Sequence, residues 1–511
     1  MIRTGRGRWS LLVLVIAAVV ASPVAAVAVR AATAGTPDLP RGVGTMTLGT
    51  VVLLVGTAAG CAVLGVGLAW LVSAHDFPFR RTLGWMLVLP LAVPAYILGF
   101  VYRASLDFDG MLGAITVMTL ALYPYVYLMA RVAFLETGPA AYDAARTLGA
   151  GRARAFRAVL LPLARPSVAA GLALVMMETL TDFATVQYFG VQTLSVGVYL
   201  TWKGSYDVAS AVSLAVLVLF AAVAVLALER VLRGGARFHQ RSGRGRGLAR
   251  RELRGRSALA ATAVAAAVAI AGFGFPVLRL VGWAVAGAGD ERFDVLDSRF
   301  FDYLANSVTI AVIAAVVCVG ISLAMTHTLR LGAGPLVRGA TQLTTFGYAV
   351  PGAVVGIGVL ALSQPIGGTV ATGSVLGILF AHAIRFTAPA YQAVDASFQR
   401  ISPHVTQSAL TLGARPSRVL ARIHLPMVRP GVAAALTLVL VDAIKELPLV
   451  LLLRPFGFST LSVWVYQLAS ENFWEQAALP ALVIVAVAAV PVAMLLRTSR
   501  PAELAAPVGA R

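Results

Sequence analysis

The chain has 511 residues, 59% hydrophobic and only 12% charged, with a mean hydropathy of +0.85. Soluble domains carry about 25% charged residues, so this chain lacks the polar groups to cover a water-exposed surface, and lipid must be its main solvent. The net charge of +19 does not mark a nucleic-acid binder, because the arginines sit in short gaps between apolar runs. That is the positive-inside pattern, which anionic headgroups also favour.

A spanning helix needs about 20 apolar residues. Candidate spans begin near residues 10, 47, 84, 111, 165 and 207, and a second set begins near 258, 305, 341, 370, 427 and 477. The expected fold is therefore all-α and polytopic, with about twelve transmembrane helices in two repeats of six. The first run has the basic end of a signal peptide (Arg3, Arg6, Arg8) and small residues between Ala25 and Ala32. Its apolar stretch exceeds the 7–15 residues of such a segment and it completes the first six, so it is read as a retained span.

Basic residues fall in alternate gaps: the amino end, Arg80 and Arg81, then Arg131, Arg146, Arg152, Arg154 and Arg157, then Arg230 to Arg256. The intervening gaps carry Asp107 and Asp109, or Asp290, Glu291, Asp294, Asp297 and Asp302. Both termini are expected on the cytoplasmic side of the membrane. The Arg/Gly-rich stretch 236–256 reads as a flexible cytoplasmic linker between halves 1–235 and 257–511. Six spans per half give both halves the same orientation, so the repeat is parallel rather than inverted.

A segment within each half repeats in detail. Asp143-Ala144-Ala145 is followed by three residues and Gly149, then by nine residues and Val159-Leu160-Leu161-Pro162. Gln407-Ser408-Ala409, Gly413 and Ile423-His424-Leu425-Pro426 follow the same spacing, every position displaced by 264 residues. The residues before and after each glycine suit short helices. Gly149 and Gly413 allow a break between them, and Pro162 and Pro426 suit the first turn of the next span. The loops span about 140–162 and 404–426. Two further segments recur: Pro94-Ala95-Tyr96-Ile97-Leu98-Gly99 as Pro351-Gly352-Ala353-Val354-Val355-Gly356, and Thr193-Leu194-Ser195-Val196 as Thr460-Leu461-Ser462-Val463.

The duplicated motif resembles the EAA loop of ABC importer permeases, whose pattern is Glu-Ala-Ala, three residues, Gly, nine residues and Ile-x-Leu-Pro. Both copies keep the spacing, the glycine and the Leu-Pro. Asp143 replaces the acid conservatively; Gln407 and Ser408 depart from the pattern. The resemblance implies a type I permease fold in which each loop is a coupling helix seated in a cleft of an ATPase subunit. It further implies two ABC ATPase subunits and a periplasmic or lipid-anchored substrate-binding protein as partners. ATPase contact would fall to Asp143, Ala144, Ala145, Gly149, Leu161 and Pro162, and to Gln407, Ser408, Ala409, Gly413, Leu425 and Pro426. The chain itself is expected to be no enzyme and to hold no cofactor: its only lysines, Lys203 and Lys445, follow no G-x-x-x-x-G-K-[ST] loop, so ATP would be bound by the partner.

Charges inside a membrane cost about 2.5–3.5 kcal/mol each on insertion scales and mark functional candidates. Glu178 and Asp182, and Asp442 and Glu446, are paired four apart, as if on one helix face, with Lys445 beside the second pair. At 1.5 Å per residue the first pair would lie about 18 and 24 Å from the cytoplasmic end of its span. The five residues are candidates for the translocation path, either as a funnel for a cationic substrate or as a structural network of paired charges. No metal-ligand cluster accompanies them. His75, His239, His327, His382, His404 and His424 are scattered, and Cys61 and Cys318 sit singly in apolar runs, as buried small hydrophobes.

The stretch Thr181-Asp182-Phe183-Ala184-Thr185-Val186-Gln187-Tyr188-Phe189-Gly190-Val191 is similar to the fused ferric iron permeases. So are Lys445-Glu446-Leu447-Pro448 and Leu453-Arg454-Pro455-Phe456-Gly457-Phe458 with Thr460-Leu461. The implied cargo is ferric iron, delivered by the binding protein. Thiamine, polyamine and phosphonate permeases are alternatives within the class. Outside it stands an ion-coupled secondary transporter, which the paired Gly and Leu-Pro loops disfavour.

Overall fold

In lipid, a helix satisfies every backbone N–H and C=O within one segment, and the computed structural model is helical almost throughout. It describes residues 2–33, 39–106, 108–136, 139–205, 208–233, 248, 250–288, 296–363 and 374–498. Asp107, Asp290, Glu291, Asp294, His239 and most of the linker lie outside these residues.

The first half of the sequence runs α1 (Ile2–Thr33), α2 (Val43–Ala74), β1 (His75–Asp76), α3 (Arg80–Met86), a 3-10 turn (Leu89–Ala92), α4 (Ala95–Ser105), α5 (Gly110–Glu136) and α6 (Pro139–Thr147). It continues through α7 (Arg152–Ala155), a π turn (Phe156–Leu160), α8 (Leu161–Thr181), α9 (Ala184–Tyr188), α10 (Leu194–Ser205) and α11 (Val208–Arg233). After β2 (Arg251–Glu252) come α12 (Arg256–Ala269), a π turn (Ile270–Gly274), α13 (Phe275–Gly287), α14 (Ser298–Arg330), α15 (Pro335–Thr345), a 3-10 turn (Phe346–Ala349), α16 (Gly352–Ser363) and α17 (Val375–Phe398). The chain closes with α18 (Pro403–Thr411), α19 (Pro416–Val419), a π turn (Leu420–His424), α20 (Leu425–Met427), α21 (Arg429–Ile444), α22 (Pro448–Leu453), α23 (Leu461–Ser470) and α24 (Trp474–Thr498).

The three π turns share a cause. Each ends two residues before a proline: Pro162, Pro276 or Pro426. Proline has no N–H for the i→i−4 bond, and its ring crowds the carbonyl of residue i−4. That carbonyl belongs to Ala158, Gly272 or Arg422, inside the π turn each time. Widening the turn removes the conflict without ending the helix.

Among the described residues, eight helical segments are long and apolar enough to cross a membrane, and ten if two bent pairs count as one span each. The sequence expectation was twelve. The run near 84 bends by 95° between the 3-10 turn and α4, and the run near 427 bends by 80° between α20 and α21. The run near 341 is broken at Pro351, leaving α16 as a shorter apolar helix. The run near 370 forms α17, whose apolar character is diluted by His382, Arg385 and Asp395.

Two compact units form. One comprises residues 1–41, 197–219 and 294–467; α14, α17 and α21 pack together at its centre, and α1 lies along α15 and α16. A Cβ on Gly358 of α16 would come within 2.6 Å of the Pro23 carbonyl of α1, so the glycine allows this close crossing. The other unit comprises 42–196, 220–293 and 468–511, with α2, α5 and α8 at its centre and α13 packed on α24 and α4. Each unit thus takes a first membrane helix from the opposite half of the sequence.

The internal repeat extends to single hydrogen bonds. Leu194 N donates to Thr50 Oγ1 at 2.9 Å in one unit, and Leu461 N to Ser307 Oγ at 2.8 Å in the other. Cys61 Sγ contacts Thr119 O at 3.7 Å, as Cys318 Sγ contacts His382 O at 3.8 Å. Both thiols are buried and free.

The two short strands pair in parallel, His75 with Arg251 and Asp76 with Glu252, and Leu253 N donates to Asp76 O at 2.8 Å. The last residues of the stretch read as a flexible linker are therefore tied to the end of α2.

Candidate functional site

The repeated loops fold alike. α6 and α18 each end in a Schellman turn. Gly149 N donates to Arg146 O at 3.1 Å and Ala150 N to Ala145 O at 3.0 Å; Gly413 N donates to Leu410 O at 3.1 Å and Ala414 N to Ala409 O at 3.0 Å. The two glycines have φ of +85° and +81°, the left-handed region that L side chains disfavour. Asp143, Ala144, Gln407 and Ser408 are exposed, Ala145 is half-buried and Ala409 is buried. Further along, Pro162, Leu425 and Pro426 are exposed and Leu161 is half-buried. The motif led to the glycines and not to the leucines before them, yet Leu148 is 88% exposed and Leu412 87%. A single exposed leucine needs no explanation. The same residue is equally bare in both copies, and its identity across the 264-residue displacement was the available signal.

The roots of the two loops are held by different chemistry. In the first, Trp70 of α2 packs on Phe156 at 4.5 Å and on Tyr142 of α6 at 5.7 Å, with Phe134 beside Phe156 at 5.9 Å. In the second, His327 of α14 and His424 of the π turn bring their Nδ1 atoms to 3.0 Å, and His424 Nε2 lies 2.9 Å from Thr406 Oγ1 of α18. Trp9 stacks edge-on against His327 at 4.9 Å and Phe398 against His424 at 5.1 Å. In the sequence His327 and His424 are two of six scattered histidines, and their partnership was not visible there.

The membrane carboxylates depart from the expectation that each pair shares one helix face. α8 stops at Thr181, and Asp182 follows in extended backbone (φ −75°, ψ 120°). α21 stops at Ile444, before Lys445 and Glu446. Both outlying acids turn to the next short helix. Asp182 accepts from Thr185 N at 2.8 Å and Thr185 Oγ1 at 2.6 Å, and Glu446 Oε1 accepts from Leu449 N at 3.3 Å. A carboxylate at a helix start satisfies otherwise orphaned N–H groups, and this capping pulls both residues off the preceding helix. Ser195 Oγ donates to Leu180 O, and Ser462 Oγ to Glu446 O at 2.9 Å, fastening α10 and α23 to the same corners. The charges in the second half are paired: Lys445 Nζ lies 2.8 Å from Asp442 Oδ1, and Arg385 Nε lies 3.7 Å from Glu446 Oε2 with both side chains 6% exposed. Glu178 is half-buried on α8.

A cavity of about 530 Å³ is lined by Arg103, Gln187, Tyr188, Ser470, Asn472 and Trp474, among others. Among the described residues, no group of three or more His, Cys, Asp or Glu is placed to hold a metal ion.

Twin helical units and twin exposed loops define a multi-pass membrane permease. Residues 62–237 match the family model described as binding-protein-dependent transport system inner membrane component. Over that stretch the chain is similar to this class, the ABC importer permeases of the inner membrane. Among its relatives, the Fe(3+)-transport system permease protein FbpB 2 of Haemophilus influenzae is 24% identical over 449 residues, 87% of this chain and 88% of that protein. The sulfate transport system permease protein CysT of Salmonella typhimurium is 30% identical over 140 residues, 24% of this chain and 50% of its own length. The molybdenum transport system permease protein ModB of Escherichia coli is 29% identical over 142 residues, 24% of this chain and 62% of its own.

Proposed function

We propose that the chain is the translocation subunit of a ferric iron importer, with both permease halves in one polypeptide. The observation that carries this reading is extent. Similarity to an Fe(3+)-transport permease runs through 87% of the chain and 88% of that relative, whereas the sulfate and molybdenum permeases are similar over 24% of this chain. The stretch resembling iron permeases contributes Gln187 and Tyr188 to the 530 Å³ cavity, which offers a substrate somewhere to wait. A permeating ion must be held weakly enough to leave, so iron capture falls to the separate binding protein.

In this reading α6 and α18 lie on the cytoplasmic side, with both termini, and each docks one ATPase subunit through its exposed face. Leu148 and Leu412 seat in that partner, and Asp143, Ala144, Gln407 and Ser408 surround them. The Schellman turns and the rigid run into α8 or α20 convert ATPase closure into helix tilting. Asp182, Asp442, Lys445 and Glu446 act as the network that fixes the broken helices, and Glu178, half-buried on α8, lines the translocation path.

The test is uptake of radioactive Fe(III) by cells expressing the chain with an ABC ATPase and a substrate-binding protein. The expected result is ATP-dependent uptake that excess sulfate or molybdate leaves unchanged. Uptake of either oxyanion, with none of iron, overturns the cargo assignment and keeps the class.

A further inference from the structure

The first coupling loop carries a feature that the second lacks. A cavity of about 130 Å³ is lined by Arg146 of α6, Arg152 at the start of α7, Arg251 of β2 and His75 of β1, over an aromatic floor of Trp70 and Tyr142. Asp143 is the one acid in the lining. The acids adjacent on the strands are engaged elsewhere, Asp76 with Arg80 at 3.1 Å and Glu252 with Arg254 at 2.8 Å. His75 Nδ1 is buried and has no hydrogen-bond partner among the described residues. Burial, and then the charges of Arg152 and Arg251, hold its imidazole below the ordinary value. Three arginines against one acid give the lining a net positive charge, although Arg146 also donates to Ala150 O at 2.6 Å, and a bound anion would offset that charge.

The second copy shows that the loop fold does not require this arrangement. The position matching Arg146 is Leu410, and it packs with Leu331, Ala409 and Val419 in an apolar cluster. The position matching Arg152 is Pro416. One copy is filled by side chains and the other is left open and cationic.

We propose that this cavity binds a phosphate-bearing anion, which clamps the linker to the first coupling loop. Guanidinium forks match phosphate geometry. The volume is small beside the roughly 300–1,000 Å³ of pockets for drug-sized ligands and suits a single phosphate group. The cavity sits at the end of a membrane-spanning helix, with Trp70 and Tyr142 as expected of an interfacial belt, so the phosphate comes either free from solution or on the headgroup of an anionic lipid.

The full chain in phosphatidylcholine nanodiscs is titrated with inorganic phosphate; in a second arm it is placed in phosphatidylglycerol-containing discs without phosphate. Hydrogen exchange is followed in residues 139–152 and 250–254, with 403–416 as the internal control. The expected result is exchange slowed about tenfold in the first two segments alone, and restored by Arg152→Gln with Arg251→Gln. Slowing in the phosphate arm identifies a free anion, and slowing in the lipid arm a headgroup. No slowing in either arm, equal slowing in the control segment, or slowing that survives the double substitution overturns the proposal. Arg251→Gln alone, at an exposed position of the linker, gives the same readout should the double variant misfold.

Discussion

Gly149 and Gly413 offer a direct test of coupling, because the structure separates two ways in which a substitution there can do harm. A Cβ at either position meets nothing within 4 Å, so a side chain costs no packing. The cost lies in the backbone at φ of +85° and +81°, about 1–2 kcal/mol for an ordinary L residue. That shifts the balance between the turned loop and a straightened one by a factor of about 5–30. Asparagine, which visits the left-handed region readily, should cost less, and valine, stiff at χ1, at least the full amount. The assay is the ratio of substrate transported to ATP hydrolysed in proteoliposomes holding the chain, its ATPase and its binding protein. We expect the ratio to fall in the order glycine, asparagine, alanine, valine at either site. Equal damage from asparagine and valine would refute the backbone argument, and full coupling in all the variants would refute the role of the loop.

Three further outcomes are expected. Leu148→Ala and Leu412→Ala should each weaken ATPase binding by about tenfold or more, since burying a leucine contributes ~1.5–3 kcal/mol; titrating ATPase onto reconstituted permease would show this, and unchanged affinity would mean that the leucines stay bare. His424→Leu should lower stability by ~1–3 kcal/mol, because the buried groups of His327 and Thr406 lose their partner, whereas Tyr142→Phe keeps the ring packing of the first loop; equal thermal shifts for the two variants would contradict the difference between the roots. Glu446→Gln should be more damaging than Glu446→Gln combined with Arg385→Met, since stranding one member of a buried pair costs ~3–5 kcal/mol and removing both costs less. Thermal unfolding in detergent measures this, and a double variant that is the less stable would show the pair to be unimportant.

Class and repeat were legible in the sequence because they rest on quantities that survive translation into one dimension: apolar run length, arginine alternation and a fixed spacing between Gly149 and Pro162 or Gly413 and Pro426. The exchange of first helices was not. A run such as α1 is apolar all round, so its pattern says that it is buried in lipid or protein but not which helix it lies against. The spacing of Glu178 and Asp182 suggested one helix face, and failed because Asp182 caps the following helix instead; a sequence shows both options and not the choice. The His327–His424 contact joins residues 97 apart, with no local pattern to announce it. The cationic cavity depends on the linker returning to α2, a pairing of two-residue strands too short to read from propensity.

The crossing of α1 over α16 also sets a schedule for synthesis. α1 leaves the ribosome well before α15 and α16, the main elements that seat it, which end at Ser363. At ~5–20 residues per second, that delay is on the order of half a minute. During that interval the helix waits in bare lipid, with the groove that will hold it still untranslated, and a destabilised α1 would be most open to membrane proteases then, before any transport cycle begins.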